Sequence, residues 1–203
     1  MSADEDAPPG LRERKKQETR TALSWAVIRL SAERGWGNVT IADAAAVANV
    51  SERTFRNYFS SKGEAVTARH FDRMLQVAAE LRARPASEPL WDAVTSAVAG
   101  PFAGGEPPGR EWTDAIALML SEMEVQGEFL KATAAVQREV AAAVAERTGT
   151  DAERDLYPTL MAAAIGAAIT AALEQWLRAD PPVAVDGLVR EALGRLRAGL
   201  PVP

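Results

Sequence analysis

Residues 40–66 read TIADAAAVANVSERTFRNYFSSKGEAV, and their spacing decides the architecture of the N-terminal third of the chain. Thr40 is a helix-capping residue, and the alanine-rich run 41–48 behind it suits a short helix. Asn49-Val50-Ser51 interrupts that run, and Ser51 caps a second short helix predicted over 52–59. Ser60 or Ser61 caps the next one, in which Phe71, Met74, Leu75, Ala78 and Leu81 recur at helical spacing up to Pro85. On the N-terminal side, Leu23, Ala26, Val27 and Leu30 share one face of a helix running from Leu11 to about Arg34, where Gly35 is placed to stop it. Two short helices joined by a tight turn therefore follow one longer helix, which is a helix-turn-helix arrangement.

The rest of the chain agrees with an all-α protein of about nine helices. Alanine, leucine, glutamate and arginine dominate its 203 residues, and strictly alternating β-branched runs are missing. Without cysteine there is no disulfide, thiolate metal site or cysteine nucleophile. Residues 1–10 are acidic and proline-containing, lack the basic-then-apolar order of a secretory signal, and are read as a disordered leader on a cytoplasmic chain. The uncharged stretch 156–173 is just long enough to raise the question of a membrane. It contains Pro158 and is richest in alanine, so a helix buried on more than one side within protein is expected, with no membrane partner.

Charge is unevenly distributed. The formal net charge is −5, yet residues 11–70 hold eleven basic and six acidic side chains. Four of the basic ones, Arg12, Arg14, Lys15 and Lys16, cluster where the first helix begins. A basic module on an acidic remainder attracts phosphates locally while the remaining surface discourages indiscriminate coating of DNA.

Beyond Pro85, helices are expected over 90–99, 111–125, 128–147, 151–178 and 183–200, with a loop of prolines and glycines at 100–109. Trp112, Ile116, Met119, Leu120 and Met123 fall on one face of the second of these. Together with Trp176 they are the expected lining of an adaptable apolar pocket. His70, Phe71, Met74, Trp91, Phe102 and Phe129 are weaker candidates. In the last helix Val185, Leu188, Val189, Ala192, Leu193, Leu196 and Leu200 form an apolar stripe opposite Arg190, Arg195 and Arg197. Ala162, Ala163, Gly166, Ala167 and Thr170 offer small surfaces for close helix approach. No enzyme is expected, because glycine-rich phosphate loops, nucleophile turns and paired-histidine metal motifs are all missing.

The 40–66 segment resembles the DNA-binding signature of the TetR (tetracycline repressor) family. The matching features are the capping Thr40, the alanine-rich helix, a turn ending in Val50-Ser51, Thr54-Phe55 and Tyr58-Phe59, and Lys62 two residues past a serine. Glu33-Arg34-Gly35-Trp36 matches the family's helix stop followed by an aromatic. Two positions depart from the pattern: Asn49 stands where glycine is usual, and Arg56 replaces a common aromatic. Val50, Phe55, Phe59 and Trp36 are expected in the core.

The resemblance implies a DNA-binding domain over 11–61 and a ligand-binding and dimerisation domain over 62–203. It implies a homodimeric regulator of a double-stranded, pseudo-palindromic DNA operator, released as a repressor by a small apolar or amphipathic effector, with no cofactor and no metal. The implied DNA contacts are Thr40, Ser51, Arg53, Thr54, Arg56, Asn57, Tyr58 and Lys62. Arg53 and Asn57 are the base-edge candidates, and Thr54, Tyr58 and Lys62 match phosphate-holding positions. In the family the last two helices pair with those of a second subunit, which makes Ala163, Gly166, Ala167, Thr170, Leu188 and Leu196 the expected dimer interface. A regulator with no small ligand, whose C-terminal bundle serves dimerisation or protein contacts, remains the alternative.

Overall fold

Nine α-helices and two short 3-10 turns make up the secondary structure of residues 10–104 and 109–202, the part of the chain that the computed structural model describes. The fold is all-α, as expected. The leader up to residue 9 and residues 105–108 of the proline- and glycine-rich loop lie outside the described residues. The helices are α1 (Leu11–Arg34), α2 (Ile41–Val47), α3 (Glu52–Tyr58), α4 (Lys62–Ala83), α5 (Leu90–Ala99), α6 (Arg110–Leu120), α7 (Met123–Thr148), α8 (Leu156–Arg178) and α9 (Val185–Arg197). Two compact units divide the chain between Arg69 and His70, inside α4.

In the first unit each helix end has a chemical cause. Gly35 stops α1 at φ 82°, with its N–H donating to the Ser31 carbonyl at 2.9 Å. Thr40 and Asp43 form a reciprocal capping box at the start of α2. At its far end Asn49 adopts φ 55°, and the Val50 N–H closes back onto the Ala45 carbonyl at 2.9 Å. Asparagine thus fills the left-handed position expected of glycine. Ser51 caps α3 by accepting from the Thr54 N–H at 3.1 Å. Ser61 accepts from the Glu64 N–H at 3.1 Å in the first turn of α4, while the Glu64 carboxylate accepts from the Ser60 N–H at 2.7 Å. The two opening turns of α4 belong with this unit. Lys62 bonds to backbone carbonyls of the 36–39 segment, and Arg69 lies 4.1 Å over the Trp25 ring. The contact boundary therefore falls eight residues after the helix start that sequence spacing marks.

In the second unit α8 packs against α6, α7 and α9, and α5 packs against α9. Met74, Val77 and Leu81 of α4 join Val94 and Val98 of α5, Val140 and Val144 of α7, Ile165 and Ile169 of α8, and Val189 and Leu193 of α9 in one apolar cluster. Polar ties brace its surface. Arg82 pairs with Glu139 and Glu146 of α7, and Arg147 donates to the carbonyls of Arg84, Pro85 and Glu88 in the loop after α4.

The last helix ends at Arg197, so Leu200, expected on its apolar stripe, lies beyond it and is exposed, and three other boundaries differ more from the sequence reading. The helix expected over 111–125 ends at Leu120, and α7 begins at Met123 rather than 128. The Ser121 hydroxyl donates to the Leu118 carbonyl at 2.6 Å and Glu122 is extended, so the apolar pattern runs across a break. Helix α8 starts at Leu156 instead of 151, because residues 151–155 are held in a turn by the Asp151 and Asp155 carboxylates on nearby N–H groups. Finally, α8 is long and apolar enough to span a membrane, but it is buried on one face rather than on several. Met161, Ala162, Ile165, Ala168, Ile169 and Ala172 are covered, while Leu156, Leu160, Ala167, Thr170 and Ala171 are exposed.

Candidate nucleic-acid interface

Helix α3 is only seven residues long, too short to persist alone in water, and two aromatic anchors hold it in place. Phe55 and Phe59 are 0% and 1% exposed, with their rings edge-on at 5.7 Å between centroids. Arg53, Arg56 and Asn57, at i, i+3 and i+4, share the opposite face and are exposed. Thr40, Ser51 and Glu52 are exposed as well, whereas Thr54 and Tyr58 are half-buried. The Ser51 and Thr54 hydroxyls lie 2.9 Å apart, so both are partly engaged in capping. At the preceding helix the Thr40 hydroxyl and N–H both donate to the Asp43 carboxylate, which lowers its pKa from the ordinary value.

Lys62 is the expected site residue with the most distinctive surroundings. Its ammonium donates to the Trp36 carbonyl at 2.9 Å and to the Val39 carbonyl at 2.6 Å, and stands 4.3 Å over the Trp36 ring. Trp36 is therefore a half-buried cation platform rather than a core residue. An ammonium carries three donors, so one N–H remains beyond these two carbonyls. The Gly35-Trp36 pair was the available sequence signal for this tie, and packing was the wrong role to read from it.

A cavity of about 280 Å³ opens in the second unit between α4, α7 and α8. His70, Met74 and Val77 line it from α4, Thr133, Val136, Gln137 and Val140 from α7, and residues between Ala162 and Thr170 from α8. No lining residue carries a charge at neutral pH. Burial, and secondarily the positive charge of Arg73, lowers the His70 pKa from 6.5 to about 4 and keeps the imidazole neutral. Gly166 opens space at the wall: a Cβ there would stand 3.9 Å from the Gln137 amide nitrogen.

The pocket residues expected from sequence lie elsewhere. Met119 is buried, Trp112, Ile116, Leu120 and Trp176 are half-buried, and none of them lines this cavity. Met123, expected to share their face, opens the next helix and is 86% exposed. His70 and Met74, the weaker candidates, are in the wall. Ala163, Gly166, Ala167 and Thr170, expected at a dimer interface, also line the cavity, and Ala167 meets Leu188 and Leu196 along a groove between α8 and α9. Sequence reasoning missed Thr133, Val136, Gln137 and Val140, although their i, i+3, i+4, i+7 spacing marks one helical face.

Residues 88–201 match the model of the MftR C-terminal domain, one of the TetR C-terminal families. The chain is 29% identical over 215 aligned positions to the HTH-type transcriptional regulator TcmR of Streptomyces glaucescens, covering 98% of this chain and 95% of that protein. A putative TetR-family regulator from Syntrophomonas wolfei superposes with a TM-score of 0.64 at 17% identity, covering 92% of this chain and 98% of its own. FadR from Bacillus halodurans, a fatty acid degradation regulator, gives 0.59 at 15% identity, with 91% and 97% covered. The structural likenesses establish the fold. With the C-terminal model matching more than half the chain, the protein belongs to the TetR family of transcriptional regulators.

Proposed function

We propose that the protein is a repressor that binds a pseudo-palindromic operator as a homodimer and is released by a small, uncharged, largely apolar effector. One observation carries the reading: a single helix, α4, bears Lys62 at its first turn and His70, Met74 and Val77 on the cavity wall. An effector that favours a shifted α4 opposes operator binding by linkage, and operator opposes effector equally.

Residues 11–61 read the DNA, and residues 62–203 bind effector and partner subunit. In this reading Arg53 reaches guanine O6 and N7, and Asn57 meets adenine or a phosphate. Thr40, Ser51, Thr54, Arg56 and Tyr58 hold the backbone of the duplex, joined by the remaining N–H of Lys62. The small-residue face that α8 leaves exposed, with Leu188 and Leu196 of α9, pairs with its copy across a two-fold axis. His70, Thr133, Gln137 and Thr170 supply the cavity's few polar groups. A charged effector would lose hydration there without meeting a counter-charge, so the uncharged form is favoured.

The test is selection of bound genomic fragments by the purified protein, followed by binding to the selected duplex with a panel of uncharged and charged aromatic compounds. A shared two-fold motif, released by uncharged members only, supports the proposal. Recovery of random fragments overturns the operator reading, and operator binding indifferent to every compound favours a bundle that serves dimerisation alone.

A further inference from the structure

The cavity of the second unit is polar at one end and apolar at the other. We propose that its effector carries a neutral hydroxyl group, donating to the Thr133 oxygen and accepting from the imidazole N–H of His70, with an apolar body directed toward Val140. The inference rests on the effector-binding reading and names the head group that such an effector must bear.

Contacts between the helices fix the heights along the cavity. The short segment 149–155 joins α7 to α8, and the two pack together, so they run antiparallel. A Cβ at Gly166 of α8 would stand 3.9 Å from the Gln137 amide nitrogen of α7, which puts these two residues at one height. One turn onward in α8 and one turn back in α7, Thr170 and Thr133 share the next height. The His70 ring lies 5.0 Å from that of Phe129, which is one turn before Thr133. Further along α4, Arg82 reaches Glu139 and Glu146, so α4 and α7 run the same way. His70, Thr133 and Thr170 therefore gather at the end of the cavity nearer Phe129. Gln137 stands midway, and Val77, Val140 and Ala162 lie toward the other end.

The bonds already made at the polar end decide what a ligand must bring. The Thr133 hydroxyl donates to the Phe129 carbonyl at 2.8 Å, which uses its one proton and leaves its oxygen able only to accept. The imidazole of His70 has no hydrogen-bond partner among the described residues, and in its neutral form it offers one N–H. A ligand that displaces water from this end must satisfy both groups, because a polar group left unmet costs more than its bond gains. A hydroxyl does so, giving its proton to Thr133 and its lone pair to His70. An ether oxygen accepts from His70 and leaves the Thr133 oxygen without a donor. A carboxylate or ammonium meets no counter-charge in the wall. The volume of about 280 Å³ is small for a ligand pocket and suits a body of two fused rings.

The experiment measures binding of β-naphthol, its methyl ether, and the hydrocarbon in which methyl replaces the hydroxyl, by equilibrium dialysis against the full-length protein at neutral pH. Thr133→Val, which keeps the side-chain shape, and His70→Phe, which keeps a ring beside Phe129, are compared with wild type. Each should lower the affinity for naphthol about tenfold while changing that for the hydrocarbon less than about threefold. The ether should respond to His70→Phe and not to Thr133→Val. His70→Gln, whose amide keeps a donor at the site, should restore most of the naphthol affinity. Losses of equal size for naphthol and hydrocarbon, or full naphthol affinity in Thr133→Val, overturn the hydroxyl assignment and leave the cavity as an effector site. Binding of none of the three to the wild-type protein overturns the effector reading and this inference together.

Discussion

Helix α3 has seven residues and is held by two large buried rings, whereas α8 has 23 residues, of which alanine is the most frequent type. The short helix cannot sustain itself, so caps and phenylalanine anchors fix it, and Arg53, Arg56 and Asn57 stand outward on the face the anchors leave free. The long helix sustains itself by propensity and length. Its small residues let neighbours approach on one face and leave a hollow beside α4 and α7. The same backbone geometry thus serves a surface in one unit and a space in the other, and the two should respond differently to substitution.

Removing an anchor is the most damaging test of that contrast. Phe55→Ala should cost about 3–5 kcal/mol in urea-induced unfolding and abolish DNA binding. If it costs under about 1 kcal/mol, two rings do not anchor α3.

His70 tests the enclosed side through pH. Its folded-state pKa is lowered to about 4, while the unfolded chain takes up the proton near 6.5. The neutral imidazole therefore contributes stability that is fully present above pH 6.5 and lost as pH falls toward 4. The loss amounts to at most about 3 kcal/mol. His70→Gln should remove this component of the pH dependence in unfolding curves taken between pH 7 and 4.5. Equal slopes for variant and wild type would place the imidazole in water.

On the exposed face, Arg53→Ala should weaken operator binding by about 1–3 kcal/mol and relax preference at one base pair per half-site, without affecting random DNA. Equal losses on both duplexes would assign Arg53 to the phosphates. Its counterpart in the cavity is Gly166→Leu, whose side chain grows toward Gln137. It should weaken release by an uncharged effector roughly tenfold or more. The smallest effect is expected at Asn49. Replacement by alanine should cost about 1 kcal/mol, because the φ of 55° is left-handed, and replacement by glycine should restore or slightly raise stability.

How much of this is legible in sequence follows the same contrast. Caps and anchors are individual residue types at fixed offsets, so Thr40, Ser51, Phe55 and Phe59 announce α2 and α3 directly. Helix α5 was equally plain, because proline and glycine bracket it. The break between α6 and α7 was hidden, since Met119, Leu120, Met123 and Val125 continue a helical pattern across it and the interruption lies in the extended backbone of Glu122. The cavity was hidden for a different reason. A hollow is made by what side chains do not fill, and Gly166, Ala162 and Ala163 signal close packing as readily as they signal space. Large residues such as Trp112 and Met123 stand out in the sequence, whereas the α7 face that lines the cavity carries only Thr133, Val136, Gln137 and Val140.

The tie between Lys62 and the carbonyls of Trp36 and Val39 has a consequence for recombination between relatives. A chimaera joined at the start of α4 would replace the lysine that holds the 36–39 segment and the arginine that covers Trp25. A joint placed after Arg69, in helical register, keeps both with the head they support. The seam along which heads and bodies can be exchanged therefore lies inside a continuous helix, and a loop-to-loop graft would cut through an intact part.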